Sequence, residues 1–306
     1  MTSHPAVAAF QTRHGTGFAA PVDPWASAGP GCLETGQRMQ RSAGLVEIGF
    51  RGDGAVTRLV RAYQSGCGRV RMPRQHGVPH PCGILINTAG GLTGGDRFHV
   101  RATLTEGARA VLTSQAAEKI YRSAAGVAEI DNAISLSPGT TLDWLPQETI
   151  LFDRGALHRR TQVAMAADAT LTATELIVFG RTAMGETVES GTIADSWRIV
   201  RDGRLVFADA TRLAGPIQAT LGQPATAAGA AGLALVLHVA PDAGDRLAAV
   251  RKIMGGAPGV RGGASAYDGV LVSRMIAESG ATLRAAVLQV MGCLRDGLTP
   301  PRPWLI

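Results

Sequence analysis

Between about residues 44 and 240, apolar and polar side chains alternate in short runs set between turn residues, as in Ala55 to Tyr63, Arg97 to Leu104, Val127 to Leu136 and Gln162 to Ala167. Alternation of this kind marks half-buried strands, so the repetition predicts stacked β-sheets. Asp202-Gly203 separates Ser196-Trp-Arg-Ile-Val-Arg201 from Arg204-Leu-Val-Phe-Ala208. An Asp-Gly pair supplies the positive φ angles of a type I′ turn, which predicts a hairpin there. Beyond residue 240 the period lengthens. Asp242 is placed to cap a helix carrying Leu247, Val250 and Met254 on one side. Ser279 is placed to cap a second, whose Leu283, Val287, Val290, Met291 and Leu294 form one apolar face. Tyr267-Asp-Gly-Val-Leu-Val272, between the two, is more strand-like. The expected fold class is therefore mainly β, with a small α-helical or α+β module at about 241–298.

Composition narrows the class. The chain has 306 residues, 45% of them hydrophobic and 18% charged, enough to bury a large core in one domain or two small ones. Mean hydropathy is high at +0.11. Yet no run approaches the roughly 18 consecutive apolar residues a membrane helix needs. The first twenty residues carry His4, Pro5, Arg13 and His14 and no apolar stretch of signal-peptide length. These two readings give a cytoplasmic protein with no membrane partner. Cys32, Cys67, Cys82 and Cys293 are widely spaced and form no CxxC pair, which argues against a disulfide framework or zinc knuckle. A net charge of +6 would attract an acidic partner. The arginines are scattered singly, and Lys119 and Lys252 are the only lysines, so no nucleic-acid partner is expected. Residues 1–40 form a Pro/Gly-rich arm (Pro21-Val-Asp-Pro24, Gly29-Pro-Gly31), leaving 41–306 as the main scaffold.

Several segments carry candidate chemistry. In Leu85-Ile-Asn-Thr-Ala-Gly-Gly-Leu-Thr-Gly-Gly-Asp-Arg97 four glycines surround Leu92 and Thr93. They allow positive φ and close backbone approach, which reads as a tight turn, a placement device for Asp96 or an anion cradle. A phosphate loop would need a following helix and a Lys-Ser/Thr pair, and neither is present. Glu148 and Asp153, in Leu142-Asp-Trp-Leu-Pro-Gln-Glu-Thr-Ile-Leu-Phe-Asp153, are the carboxylates a glycoside hydrolase on a β scaffold would use, with turn capping as the simpler account. Trp144 and Phe152 read as core anchors. Glu175 shares a strand face with Leu171 and Ile177. A carboxylate there is costly unless it is paired, with Arg181 for example, or holds a cation. Asp209, at a strand end, is a weaker case of the same kind. His76-Gly-Val-Pro-His-Pro-Cys82 offers three borderline or soft ligands in seven residues but lacks a fourth, so it reads as a loop with incidental histidines. No Gly-x-Ser-x-Gly elbow, His-Glu-x-x-His helix or Gly-x-Gly-x-x-Gly turn occurs.

Taken as an ordered set, three blocks closely resemble the UreD (UreH) family of urease accessory proteins. They are Asn87-Thr-Ala-Gly-Gly-Leu-Thr-Gly-Gly-Asp96, the Gln115 to Ser123 block ending Lys-Ile-Tyr-Arg-Ser, and Trp144-Leu-Pro-Gln-Glu-Thr-Ile-Leu-Phe-Asp153. The resemblance continues through Phe179-Gly-Arg-Thr-Ala-Met-Gly-Glu186, Trp197-Arg-Ile-Val-Arg-Asp-Gly203 and Pro301-Arg-Pro-Trp304. It covers roughly residues 44 to 306. The arm before residue 40 has no counterpart in that pattern.

The resemblance implies a β-helix-like stack of sheets and a protein that is not an enzyme. It implies binding to apo-urease subunits and to UreF, through which the nickel-carrying GTPase UreG is recruited. No tightly bound cofactor is implied, only Ni²⁺ in transit along acidic side chains of the interior. By motif position those map to Asp96 and Glu175, as transient ligands or field-setting groups, and to Asp209 as an entry or exit group. Single, separated carboxylates suit such a relay, because a passing ion needs oxygen donors that release it.

Overall fold

The computed structural model describes residues 40–73, 80–181 and 184–306. The expectations for the arm and for His76 lie outside the described residues. In chain order the first strands are β1 (Ala43–Asp53), β2 (Val56–Gly66), β3 (Gly68–Arg71), β4 (Cys82–Asn87), β5 (Arg97–Thr105), β6 (Arg109–Ser114) and β7 (Glu118–Ile120). There follow β8 (Ala128–Leu136), β9 (Thr141–Leu145), β10 (Thr149–Leu151), β11 (Ala156–Met165), β12 (Thr170–Phe179), β13 (Gly191–Arg201) and β14 (Arg204–Gly215).

The chain passes back and forth between two sheets. In one, β1, β5, β8, β11 and β13 lie parallel, with β2 and β14 added antiparallel at the edges. In the other, β4, β6, β9 and β12 lie parallel. The result is a β-solenoid-like stack of about four turns, a mainly β fold. Each coil turns between the sheets through a three- or four-residue corner, and the corners stack. Thr141 N–H donates to Ala108 O at 2.9 Å, and one coil further on Thr170 N–H donates to Thr140 O at 2.8 Å. Ala108, Thr140 and Ala169 are fully enclosed at these corners.

The second sheet continues antiparallel through β15 (Gly232–Val239), β17 (Val270–Ala277) and β16 (Val260–Tyr267). Short α1 (Ile217–Gly222) precedes β15, and α2 (Leu247–Gly256) and α3 (Gly280–Leu294) complete the C-terminal module. Two cores follow. One fills the space between the sheets, from Val46, Phe50 and Leu104 through Leu157, Trp197 and Ile199. The other lies between the second sheet and the helices, where Leu176, Val236 and Leu271 meet Val250, Met254, Leu283, Val287 and Met291. Strand β12 is consequently buried on both faces. None of the helices among the described residues is long and apolar enough to cross a membrane.

The local expectations fare as follows. Asp202 and Gly203 take φ of 48° and 78° in the β13–β14 hairpin, as the Asp-Gly pair requires. Ser279 Oγ accepts the Thr282 N–H at 3.0 Å and caps α3. Asp242 makes no such cap. Its carboxylate pairs with Arg246, and a 3₁₀ turn over Ala243–Arg246 leads into α2 instead. The segment from Tyr267 to Val272 is also not one strand. Asp268-Gly269, with φ of 46° and 69°, turns the chain between β16 and β17. It is the same dipeptide signal as at residue 202, read there and missed here.

The glycine loop is a tight corner followed by strand β5, so it lacks the helix N-terminus a phosphate loop would use. A Cβ at Gly94 would lie 2.0 Å from Ser123 Oγ and 2.2 Å from Ala125 O, so this position tolerates no side chain. Gly94→Ala should therefore lower stability by about 2 kcal/mol or more, through forced backbone displacement. Gly263→Ala, with open space around its Cβ, should change it far less. Urea denaturation of the two variants side by side checks the difference.

Candidate functional site

The parallel register stacks inward-facing residues of successive coils into rungs. One rung runs Phe98, Ile130, Arg159, Asp195, and the next runs Val100, Asn132, Thr161, Trp197. Polar groups thus replace apolar ones toward β11 and β13. Asn132 Nδ2 donates to Thr161 Oγ1 at 3.1 Å. From the opposite sheet the inner face of β12 contributes Glu175, β10 contributes Thr149 and β7 contributes Glu118. Between them lies a cavity of about 80 Å³, lined by these groups other than Asp195, together with Asn87, Ser114, Trp144 and Gln147. That is room for several water molecules.

Arg159 is the centre of the polar wall. Its Nε donates to Asp195 Oδ2 at 2.8 Å and its Nη1 to Thr149 Oγ1 at 2.8 Å. Its Nη2 contacts Asp195 Oδ2 and lies 3.2 Å from Glu175 Oε2. Trp197 Nε1 donates to the same Glu175 oxygen. Glu175 is 5% exposed. Desolvation, then the neighbouring Asp195 carboxylate, push its pKa up to about 8 against the opposing pull of Arg159. One guanidinium cannot neutralise two buried carboxylates, and it is Glu175 that keeps a proton. Glu118, whose Oε1 accepts from Asn87 Nδ2 at 3.1 Å, is raised to about 7, chiefly by desolvation.

The ion-pair expectation for Glu175 holds, but with a different partner. Arg181 is engaged by Glu186 at 2.8 Å and lies over the Phe152 ring. Asp96 is likewise buried, at 5% exposure, and lies outside the cavity lining. Its Oδ1 accepts the Ser42 N–H at 2.7 Å and its Oδ2 the Thr93 N–H at 2.9 Å, so it closes the glycine corner and ties it to the residue that leads into β1. Asp209 points inward from edge strand β14 and bridges the sheets by pairing with Arg274 of β17 at 2.9 Å. The structure therefore does not bring the three carboxylates together.

Glu148 and Asp153 are also kept apart. Glu148 Oε2 receives Arg284 Nη1 at 2.8 Å in a surface groove whose lining excludes Asp153. Asp153 Oδ1 accepts the Ser190 N–H at 3.1 Å. His80 and Cys82 are described without His76, and no group of three or more His, Cys, Asp or Glu positioned for a metal occurs among the described residues. Sequence reading missed Arg159, Asp195 and Glu118. Alternation did carry a signal: Leu157, Arg159, Thr161 and Val163 share one face, as do Ile193, Asp195, Trp197 and Ile199. A charge between apolar neighbours on each of two adjoining strands marks a buried pair.

The model of the family described as UreD urease accessory protein matches residues 42–305. The urease accessory protein UreD of a Methylobacterium species is 48% identical over 272 residues, which cover 87% of this chain and 96% of that protein. Those of a Chelativorans species and of Azorhizobium caulinodans are 44% and 43% identical, covering 88% of this chain in each case and 95% and 98% of the relatives.

The buried carboxylates set a pH dependence. A carboxyl whose folded pKa exceeds its unfolded value near 4.5 stabilises the fold below that value. The contribution disappears as pH rises through the folded pKa. Stability should accordingly decline between about pH 5 and 8 through Glu175 and Glu118. Glu175→Gln, which cannot ionise, should flatten that decline. Urea midpoints across the range test it, and an unchanged slope in the variant would contradict the assignment. Asp96→Ala strands the Ser42 and Thr93 amides and should cost about 2–4 kcal/mol. The same denaturation series reads this out.

Proposed function

The chain belongs to the UreD urease accessory protein family and so has a non-catalytic role in urease maturation, and on that premise we propose that it is the scaffold through which nickel reaches apo-urease. In this reading it binds apo-urease and UreF in the cytoplasm, and UreF recruits the nickel-carrying GTPase UreG. It holds no resident cofactor, and Ni²⁺ is cargo.

The observation that carries the reading is the polar cavity between the sheets. Buried carboxylates without a clustered ligand set offer oxygen donors to a divalent ion while giving it no closed coordination shell in which to stop. Of the three nominated residues, Glu175 faces this space. We assign the relay to Glu175 with Glu118, while Asp195 serves it by holding Arg159 in place, and Asp96 and Asp209 by fixing the corner and the sheet edge. Glu175 gives up its proton when a cation arrives, since the added positive charge replaces the proton's. Arg159 keeps the empty site from carrying two uncompensated charges.

Glu175→Gln in the full chain, co-expressed with the urease subunits and the other accessory proteins, should still co-purify with UreF and apo-urease. Nickel per urease active site should fall by about tenfold, the scale on which loss of one metal-facing group acts. Normal nickel loading in this variant would remove Glu175 from the route. Failure of the wild-type chain to co-purify with UreF would overturn the scaffold itself.

A further inference from the structure

The cavity between the sheets and the surface groove beside α3 share one lining residue, Gln147. The groove, of about 700 Å³, is bounded by Gln115, Glu148 and Ile150 on one side and by Ser279, Gly280 and Arg284 on the other. Gln147 sits in the irregular link between β9 and β10, 6% exposed, with its Nε2 meeting no acceptor among the described residues. Its Oε1 accepts from Arg284 Nη1, which also donates to Glu148 Oε2 at 2.8 Å. The rest of that guanidinium is braced from behind. Nη2 donates to Pro303 O at 3.2 Å, and the plane lies 4.6 Å from the centre of the Trp304 ring.

We propose that Gln147 and Arg284 are a gate between groove and cavity, and that a hydrated divalent cation passes it by displacing Arg284 from the two side-chain oxygens it holds. The inference rests on the reading that the cavity carries such a cation. Arg284 occupies the place a cation would take, between an amide oxygen and a carboxylate oxygen, the hard donors that suit a divalent ion in transit. Displacement exchanges one positive charge for another, so Glu148 is never left uncompensated. Gln147 has one amide end fixed and one end free of partners, which lets it rotate once Arg284 leaves. On its far side the cavity lining continues through Ser114, whose Oγ accepts the Gln147 N–H at 2.8 Å, and Glu175, so oxygen donors continue inward from the mouth.

The test needs no nickel. Thr161 is buried in the cavity wall on the inward face of β11, so Thr161→Cys places a near-isosteric thiol inside. Labelling of that thiol in the full chain by 2-aminoethyl methanethiosulfonate, followed by peptide mass spectrometry, reports how readily a small cation gets in. Arg284→Ala and Gln147→Ala should each accelerate it by about tenfold or more, the range over which closure controls access to an interior site. Gln147→Ala leaves Arg284 braced by Glu148, Pro303 and Trp304, and the buried Cys82 staying unlabelled shows that the fold is intact. Unchanged rates in both variants would overturn the gate, even if Glu175→Gln lowers urease nickel. Faster labelling, with urease nickel unaffected by either gate variant or by Glu175→Gln, would overturn the cation as the traveller.

Discussion

Between the two sheets a single guanidinium, Arg159, faces two carboxylates, and the interior is arranged around that imbalance. Burying an ion costs several kcal/mol, and its attraction to a partner returns this only when the remaining donors and acceptors are satisfied. Here Thr149 and Asp195 take up Arg159 and the Trp197 indole takes up Glu175, while Asp195 Oδ1 is left without a partner among the described residues. The residual charge is settled by a proton. The parallel register makes this possible, since it sets Arg159 of β11 directly beside Asp195 of β13, while the inner face of β12 brings Glu175 across from the other sheet. Apolar rungs, Leu157 with Ile193 and Val163 with Ile199, flank the polar layer on either side.

A solenoid suits such a site because each coil adds one inward residue per rung. The lining can be changed at one level without disturbing the stacked corners at the end of each coil. Those corners carry the backbone hydrogen bonds that hold the coils in register, and they are built from small enclosed residues, Ala108, Thr140 and Ala169. Chemistry in the middle of the rungs and structure at their ends are thus separable. The C-terminal helices add a third layer, from which Arg284 of α3 reaches across the sheet edge to the β9–β10 link.

Alternation made the strands legible, and apolar spacing made α2 and α3 legible, because both reflect one buried face. The repeat was visible but subtler. Leu104-Thr-Glu-Gly-Ala-Arg-Ala110, Leu136-Ser-Pro-Gly-Thr-Thr-Leu142 and Met165-Ala-Ala-Asp-Ala-Thr-Leu171 share a large apolar residue, a turn residue, a small residue and an apolar return at the same offsets. These are the stacked corners, with no exact identity between them, since small size and turn geometry are all the position demands. Glu175 was legible because an acid among Leu171, Ile177 and Phe179 has few inexpensive explanations. Its partner was not, because the nearest arginine in sequence, Arg181, is farther in space than one brought alongside by a neighbouring coil. Glu118 was hidden too, since the three-residue strand β7 is too short to show a period.

The two buried acids make the final point about motifs. Asp96 sits in the most distinctive segment of the chain, yet both of its oxygens are consumed by backbone amides, and the surrounding glycines are required by close backbone approach. Such a corner is distinctive because it tolerates few alternatives, which is a geometric demand. Glu175 sits in an ordinary apolar strand and retains what a ligand for a passing ion requires: an oxygen facing a cavity, a cation beside it and a proton to exchange. Distinctiveness in sequence therefore tracks how tightly the backbone is constrained. Capacity for chemistry tracks the charge a fold leaves unbalanced, and in this chain the two properties belong to different residues.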